Sequence, residues 1–158
     1  MAESVEVRPV TDDNREQFYD LYNLLCPQGV PKIISKAIPA TFYVRLAFVK
    51  SRPVGLICID TDCRFEDNSI PEASPYLLFL GVKPMFRMQG IGSRLLNTSV
   101  NDLSADGHSA IYLHVQKDNE PAISIYRQHK FKHIATIPHY YRRMECEDAW
   151  IMMCNLKC

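Results

Sequence analysis

The chain lacks any excess of charge: Lys and Arg together number 18, and so do Asp and Glu. No global field draws it toward nucleic acid or an anionic membrane, so any cationic patch must be local. It also lacks an apolar run of bilayer-spanning length. The opening residues, MAESVEVRPV, have neither a basic n-region nor an apolar h-region, which leads us to expect an intracellular, cytoplasmic protein without membrane attachment. No Cys-x-x-Cys is present, and six cysteines (Cys26, Cys58, Cys63, Cys146, Cys154 and Cys158) are expected as unbridged thiols. The spacings of Cys58 to Cys63 and of Cys154 to Cys158 are looser than in most structural zinc pairs, so no metal is expected. Internal repeats and low-complexity tracts are missing as well.

What is present is one domain's worth of chain. The 158 residues are 47% hydrophobic and 23% charged, the profile of a globular protein. At that length about two thirds of the unfolded surface can be buried, so a single domain over residues 1–158 is expected.

The segment SVEVRPV alternates like a short strand, and TDDNREQFYDLYNLLC reads as a helix with Asp13 as N-cap and Glu16 completing a capping box. Phe18, Leu21, Tyr22 and Leu25 share one face of that helix. Pro27, Gly29 and Pro31 interrupt it before a weaker helical segment around Ile33 to Ile38. Two strands, FYVRLAFVK and VGLICID, flank a tight turn at Ser51-Arg52-Pro53. Residues 63–75 are polar and aperiodic and read as an exposed loop. YLLFLGV is nearly continuous in apolar residues, as suits a strand buried on both faces. A helix from Ile91 presents Leu95, Leu96, Val100 and Leu103 on one side and stops near Gly107. After the strand AIYLHVQ, Asn119, Glu120 and Pro121 mark a clear helix start. HIATIPHYY and AWIMMCNLK read as closing strands. The fold class is a mixed α/β sheet of order β-α-α-β-β-β-α-β-α-β-β, and the unit from Tyr76 to Gln116 should hold two parallel strands with a right-handed crossover.

At the first turn of that unit stands VKPMFRMQGIGSRLL. The first amides of a helix have no intrahelical acceptor and carry the positive dipole end, so they suit a phosphate. Gly90 and Gly92 keep side chains away where a pyrophosphate would approach, Arg87 adds charge, and Gln89 or Ser93 offers neutral donors. A P-loop is excluded because no Gly-x-x-x-x-Gly-Lys-Ser/Thr is present. The dinucleotide fingerprint fails at Leu95, where its third glycine belongs. The plain alternative is that the glycines only tighten a strand-to-helix turn.

That stretch resembles the Gln/Arg-x-x-Gly-x-Gly/Ala signature of the GNAT acyltransferases. Within them, IYLHVQ with its NExAIxxYR continuation and YYRRMExxDAWIMMCNLK are similar to the NatE-type (San family) protein N-terminal acetyltransferases, over about half the chain, from Leu80 to Lys157. The resemblance implies a GNAT fold with a central pair of splayed parallel strands, Tyr76–Val82 and Ala110–Gln116, and the reaction at the apex. It implies acetyl-CoA as cosubstrate, held by Leu80, Val82, Arg87, Met88, Gln89, Gly90, Ile91, Gly92, Ser93, Asn119 and Tyr126. The implied activity is Nα-acetylation of protein N-termini by direct transfer, with a peptide N-terminus as substrate and an auxiliary subunit at the ribosome as partner.

By the same resemblance His114 is the catalytic histidine and Tyr76 its partner tyrosine. An imidazole of pKa about 6.5 accepts a proton near neutrality, whereas a phenol near 10 is a poor base, so Tyr76 is expected to orient a water. Tyr126 matches a residue facing the CoA sulfur, and Tyr140 with Tyr141 matches a pair on the loop covering the peptide. For each, ordinary core packing is the bland alternative. The family's Phe-Pro-Val stretch near the peptide is replaced here by Cys26-Pro27-Gln28-Gly29-Val30, so Pro27 and Val30 are carried over as substrate-binding positions without the family's sequence preference. Lys130 stands where the family usually has glycine after a helix, which costs about 1 kcal/mol if left-handed geometry is needed there. Two other readings compete: a GNAT enzyme acting on lysine or a small amine, and a module that binds acetyl-CoA or a partner without catalysis. YYRR and HKFKH are too short for a nucleic-acid footprint.

Overall fold

The computed structural model describes residues 3–66, 68–142 and 145–157. Chain order is β1 (Val5–Pro9), α1 (Arg15–Leu25), a 3-10 turn (Lys32–Ile34), β2 (Phe42–Val49), β3 (Arg52–Cys63), β4 (Ser74–Val82), a second 3-10 turn (Pro84–Phe86), α2 (Ile91–Ala105), β5 (Ala110–Gln116), α3 (Glu120–Gln128), β6 (Phe131–Ile137) and β7 (Ala149–Asn155). The seven strands form one sheet in the order β1-β2-β3-β4-β5-β7-β6. Every neighbour pair is antiparallel except β4 with β5, and that parallel contact registers one residue pair, Tyr76 with Tyr112. Past this rung the two strands splay.

Apolar patterning sends the helices to opposite faces. Phe18, Leu21 and Tyr22 of α1 pack on Val44, Leu46, Phe48, Leu56 and Cys58. On the other face Leu95, Leu96 and Leu103 of α2 and Ile123 and Tyr126 of α3 meet Ile57, Ile59, Leu77, Ile111, Leu113 and Met152. Each fully buried Leu, Ile or Phe stabilises by about 1.5–3 kcal/mol before chain entropy is subtracted. That second cluster draws on strands from both sides of the splay, so side chains join what the main chain leaves apart. Helix α2 is pinned further at Asp102, whose carboxylate accepts the Tyr43 hydroxyl at 2.5 Å and lies 3.7 Å from the Arg45 guanidinium.

Several expectations need correction. The weak helix around Ile33 to Ile38 is a single 3-10 turn, with Pro31 before it and the Ser35 hydroxyl bonded to the Lys32 carbonyl at 2.9 Å. That local bond competes with helix continuation, and only Ile34 has a core to enter while Ile33 is 63% exposed. The Asp13 capping box does not form. The N-cap is Asn14, whose side chain turns back to accept from Thr11 N–H and donate to the Pro9 carbonyl. The β2–β3 turn is Lys50-Ser51, both at positive φ (48° and 64°), the geometry that matches strand twist, and Arg52 and Pro53 already belong to β3. Residues 63–75 are not wholly exposed: β3 runs to Cys63, and Ile70 is buried at 1% exposure. β4 is buried on both faces only near its start, because β5 diverges and leaves Leu78 to Val82 half-buried. The first closing strand stops at Ile137, which leaves Tyr140 and Tyr141 in a connection. Lys130 does adopt left-handed geometry, with φ at +67°. Cys26, Cys58, Cys63, Cys146 and Cys154 form no disulfide, while Cys158, Asp67, Arg143 and Met144 lie outside the described residues.

Candidate active site

Where β4 ends and α2 begins, a cleft of about 630 Å³ opens between α2 and α3. Val82, Arg87, Met88, Gly90, Ile91, Gly92 and Ser93 line one side, and Pro121, Ser124, Ile125 and Gln128 the other. Gly90 is the N-cap of α2 at φ +79°, and a Cβ there would meet nothing within 4 Å. Its glycine is therefore a matter of backbone conformation and of an open approach to the first amides of α2. Gly92 answers to a different need. A Cβ on it would lie 3.2 Å from the Ile125 side chain, so its absence lets α2 and α3 approach each other. The Arg87 Nε–H donates to the Val82 carbonyl at 2.9 Å, fixing the guanidinium at the cleft. Gln89 donates to the Met85 carbonyl instead of facing the lining, and the Ile91 side chain is in the core at 2% exposure. Leu80 lies on the splayed part of β4, half-buried. Asn119 caps α3 by accepting the Ala122 N–H at 3.3 Å.

At the splay, β4 and β5 face one another with Tyr76 and His114. The Tyr76 hydroxyl lies 2.8 Å from His114 Nδ1, a direct bond between the two. Burial, with the nearby Tyr140 hydroxyl adding to it, drives the Tyr76 phenol well above its ordinary range, so it stays neutral. Tyr140 stacks on the imidazole, with centroids 4.2 Å apart and planes 2° from parallel. Tyr141 meets Tyr140 edge-on at 5.0 Å. Burial and Tyr140 raise its phenol to about 12. Tyr126 sits in the core on α3 at 9% exposure, its phenol also pushed up to about 12 by burial and then by Tyr141.

One wall of this assembly went unread in the sequence. Phe65, from the connection expected to be plainly exposed, packs edge-on against Tyr76 at 4.8 Å and tilts over His114 at 5.6 Å. The signal was a lone aromatic in a polar stretch, anchored by Ile70. The connection that carries Tyr140 also has an unforeseen neck. His139 Nδ1 lies 2.7 Å from Glu147 Oε2, Tyr141 N–H donates to the Glu147 carbonyl, and His139 N–H donates to Asp148 Oδ1 at 3.2 Å. On the α1 side, Cys26, Pro27 and Val30 follow the helix through a turn in which Gly29 sits at φ +75°. Val30 packs with Leu78 and Phe79 on the α1 cluster, and Pro27 is exposed. Leu78 is the extra residue of a β4 bulge, since Cys58 pairs with Phe79 but Ile59 with Leu77. The structure thus brings Tyr76, His114, Tyr140 and Tyr141 together, with Phe65 added. The Gly90 cleft lies toward the other end of β4, whose last residue, Val82, enters its lining.

Chemically, an imidazole held by a neutral phenol under an aromatic cover can take a proton from a group delivered between the strands, and the cleft at the end of β4 suits an anionic carrier. The Acetyltransferase (GNAT) family profile matches residues 8–131. N-alpha-acetyltransferase 50 of Danio rerio is 32% identical, covering 99% of this chain and 92% of that protein. The probable N-acetyltransferase san of Drosophila melanogaster is 30% identical over 98% of this chain and 82% of its own length. Among solved structures, Arabidopsis thaliana Naa50 in complex with the bisubstrate analogue CoA-Ac-MVNAL superposes with a TM-score of 0.77 at 31% identity, covering 96% of this chain and 98% of that one.

Proposed function

The chain belongs to the GNAT family of acetyltransferases, and from that premise we propose that it acts as one catalytic domain that acetylates the α-amino group of protein N-termini, using acetyl-CoA. The observation that carries the reading is the Tyr76–His114 pair at 2.8 Å, covered by Tyr140. The relatives named for Nα-acetylation support the substrate class.

Acetyl-CoA fits the cleft, whose walls are largely apolar and whose end offers the α2 amides at a side-chain-free Gly90 with Arg87 alongside. Gly90, Ile91, Gly92 and Ser93 would hold the pyrophosphate through their backbone, and Leu80 and Val82 would flank the pantetheine. When bound, it supplies an acetyl group as a reactive thioester. The chain's residues supply the proton handling. A protein α-amine titrates near 7.7–8, so a base close to neutrality suffices to deprotonate it. The imidazole of His114 accepts that proton, directly or through one water, while Tyr76 fixes the ring's orientation and remains protonated. Tyr126, whose phenol burial keeps protonated, would donate to the leaving sulfur. Tyr140 and Tyr141, and with them Pro27 and Val30, would receive the first residues of the peptide. We extend the reading to a cytoplasmic enzyme working with an auxiliary subunit at the ribosome. Among the described residues no helix is long and apolar enough to cross a membrane.

The test is CoA release from acetyl-CoA over short peptides varied at their first two residues, beside an N-terminally blocked peptide containing lysine. Turnover confined to free N-termini is expected. Turnover on the blocked peptide would move the chain to lysine acetylation, and silence on every peptide with acetyl-CoA still bound would make it a binder.

A further inference from the structure

Tyr140 reaches His114 from the connection between β6 and β7, so something must hold that connection against β5. Asp148, the last residue before β7, touches both sides. Its Oδ1 accepts the His139 N–H at 3.2 Å, one residue from Tyr140, and its Oδ2 receives the Lys117 ammonium at 3.2 Å. Lys117 directly follows β5, the strand that carries His114, and its own N–H donates to the Asp148 carbonyl at 3.1 Å. His139 sits at φ +56°, a strained value for a residue with a side chain, and Glu147 clasps its ring. Gln116 adds a bond from its side chain to the Cys146 carbonyl at 3.0 Å. From this geometry we infer that Asp148 is a positioning residue, which sets the stack of Tyr140 on His114 by tying the left-handed turn at His139 to the end of β5.

Asp148 touches neither the imidazole nor the cleft, so its effect passes through Tyr140. The His139 amide and the Lys117 ammonium also hold its carboxyl below the usual range, in keeping with a carboxylate engaged on both oxygens. Loss of the carboxylate releases His139 from its strained conformation and lets Tyr140 swing off the ring. The kinetic part of this inference rests on the peptide reading above, whereas the spectroscopic part does not.

The experiment records the His114 ring resonances of the full chain by NMR, together with peptide and acetyl-CoA kinetics, for wild type, Asp148→Ala, Asp148→Asn, Lys117→Met and Tyr140→Ala. A ring stacked at 4.2 Å imposes a large ring-current shift, and Tyr140→Ala defines its absence. In Asp148→Ala the His114 signal is expected to move most of the way to the Tyr140→Ala position, with peptide KM raised about tenfold and acetyl-CoA KM unchanged. Asp148→Asn keeps an acceptor for His139 but loses the oxygen that receives Lys117, so it and Lys117→Met should each move the signal part of the way. A His114 signal unmoved in both Asp148→Ala and Lys117→Met overturns the inference, as does a loss in kcat with peptide KM unchanged. Should Asp148→Ala fail to fold, Lys117→Met decides alone. If wild type acetylates no peptide, the function reading falls while the NMR comparison still rules on Asp148.

Discussion

The two sides of the site are built differently. The cleft side takes its anion-binding wall from one contiguous stretch, Val82 to Ser93, in which a left-handed Gly90 opens the first turn of α2, with α3 as the facing wall. The aromatic side is made of side chains drawn from β4, β5 and two connections: Phe65, Tyr76, His114, Tyr140 and Tyr141. A backbone site depends on a few conformations that only certain residues permit. An assembled wall depends on tertiary packing, so single side chains can be exchanged at graded cost.

Substitutions should therefore separate the two sides. The largest effect is expected for His114→Ala, with kcat down about 10²- to 10⁴-fold and acetyl-CoA affinity intact. Stopped-flow turnover with isothermal titration of acetyl-CoA checks both halves. Next comes Gly90→Val, which puts a β-branched residue at φ +79°. At 1–2 kcal/mol or more of backbone strain it should raise acetyl-CoA KM about tenfold and leave peptide KM alone. An equal rise in both would show that the two sides are not independent. Phe65→Ala removes two ring contacts worth about 0.5–1.5 kcal/mol each, so kcat/KM for peptide should fall about threefold to tenfold. Lys130→Gly lies outside both sides and relieves a positive φ; it should stabilise the fold by about 1 kcal/mol, a Tm rise of about 2–4 °C, without touching either KM. The smallest expected response is to pH. Because Tyr76 is raised in the folded protein, its contribution to stability is complete below the unfolded phenol value of about 10 and is lost as pH rises beyond it. Denaturation midpoints should thus stay level up to about pH 9 and fall above about pH 10, less steeply in Tyr76→Phe than in wild type; equal slopes in the two would argue that Tyr76 is not held neutral.

The same contrast explains what the sequence made legible. Gly90, the caps of α3 and the apolar spacing of α1 and α2 are local signals, and all appear in the structure where their chemistry requires. His114 and Tyr76 were legible through a motif's resemblance. Phe65, His139, Glu147 and Asp148 were not, because each acts through a partner distant in sequence or across a connection with no periodicity. The helix expected at Ile33 to Ile38 failed for a related reason, since a three-residue turn with one buried side chain gives tertiary packing little to reward. At Lys130 the sequence left the backbone geometry open, and the structure supplies it, with φ at +67°.

The single registered rung between β4 and β5 has a further consequence. Two antiparallel ladders meet at a seam with almost no main-chain bonding, so amide exchange should treat β1–β4 and β5–β7–β6 as separate units, with the facing edges of Leu78–Val82 and Leu113–Gln116 the quickest to exchange. A ligand lodged in that wedge then works as the missing rungs. By mass action it would add about 2.7 kcal/mol of stability at a hundred times its Kd, merging two opening units into one. On the proposed function, the gap that would admit the acyl carrier would also be the place where the carrier completes the sheet.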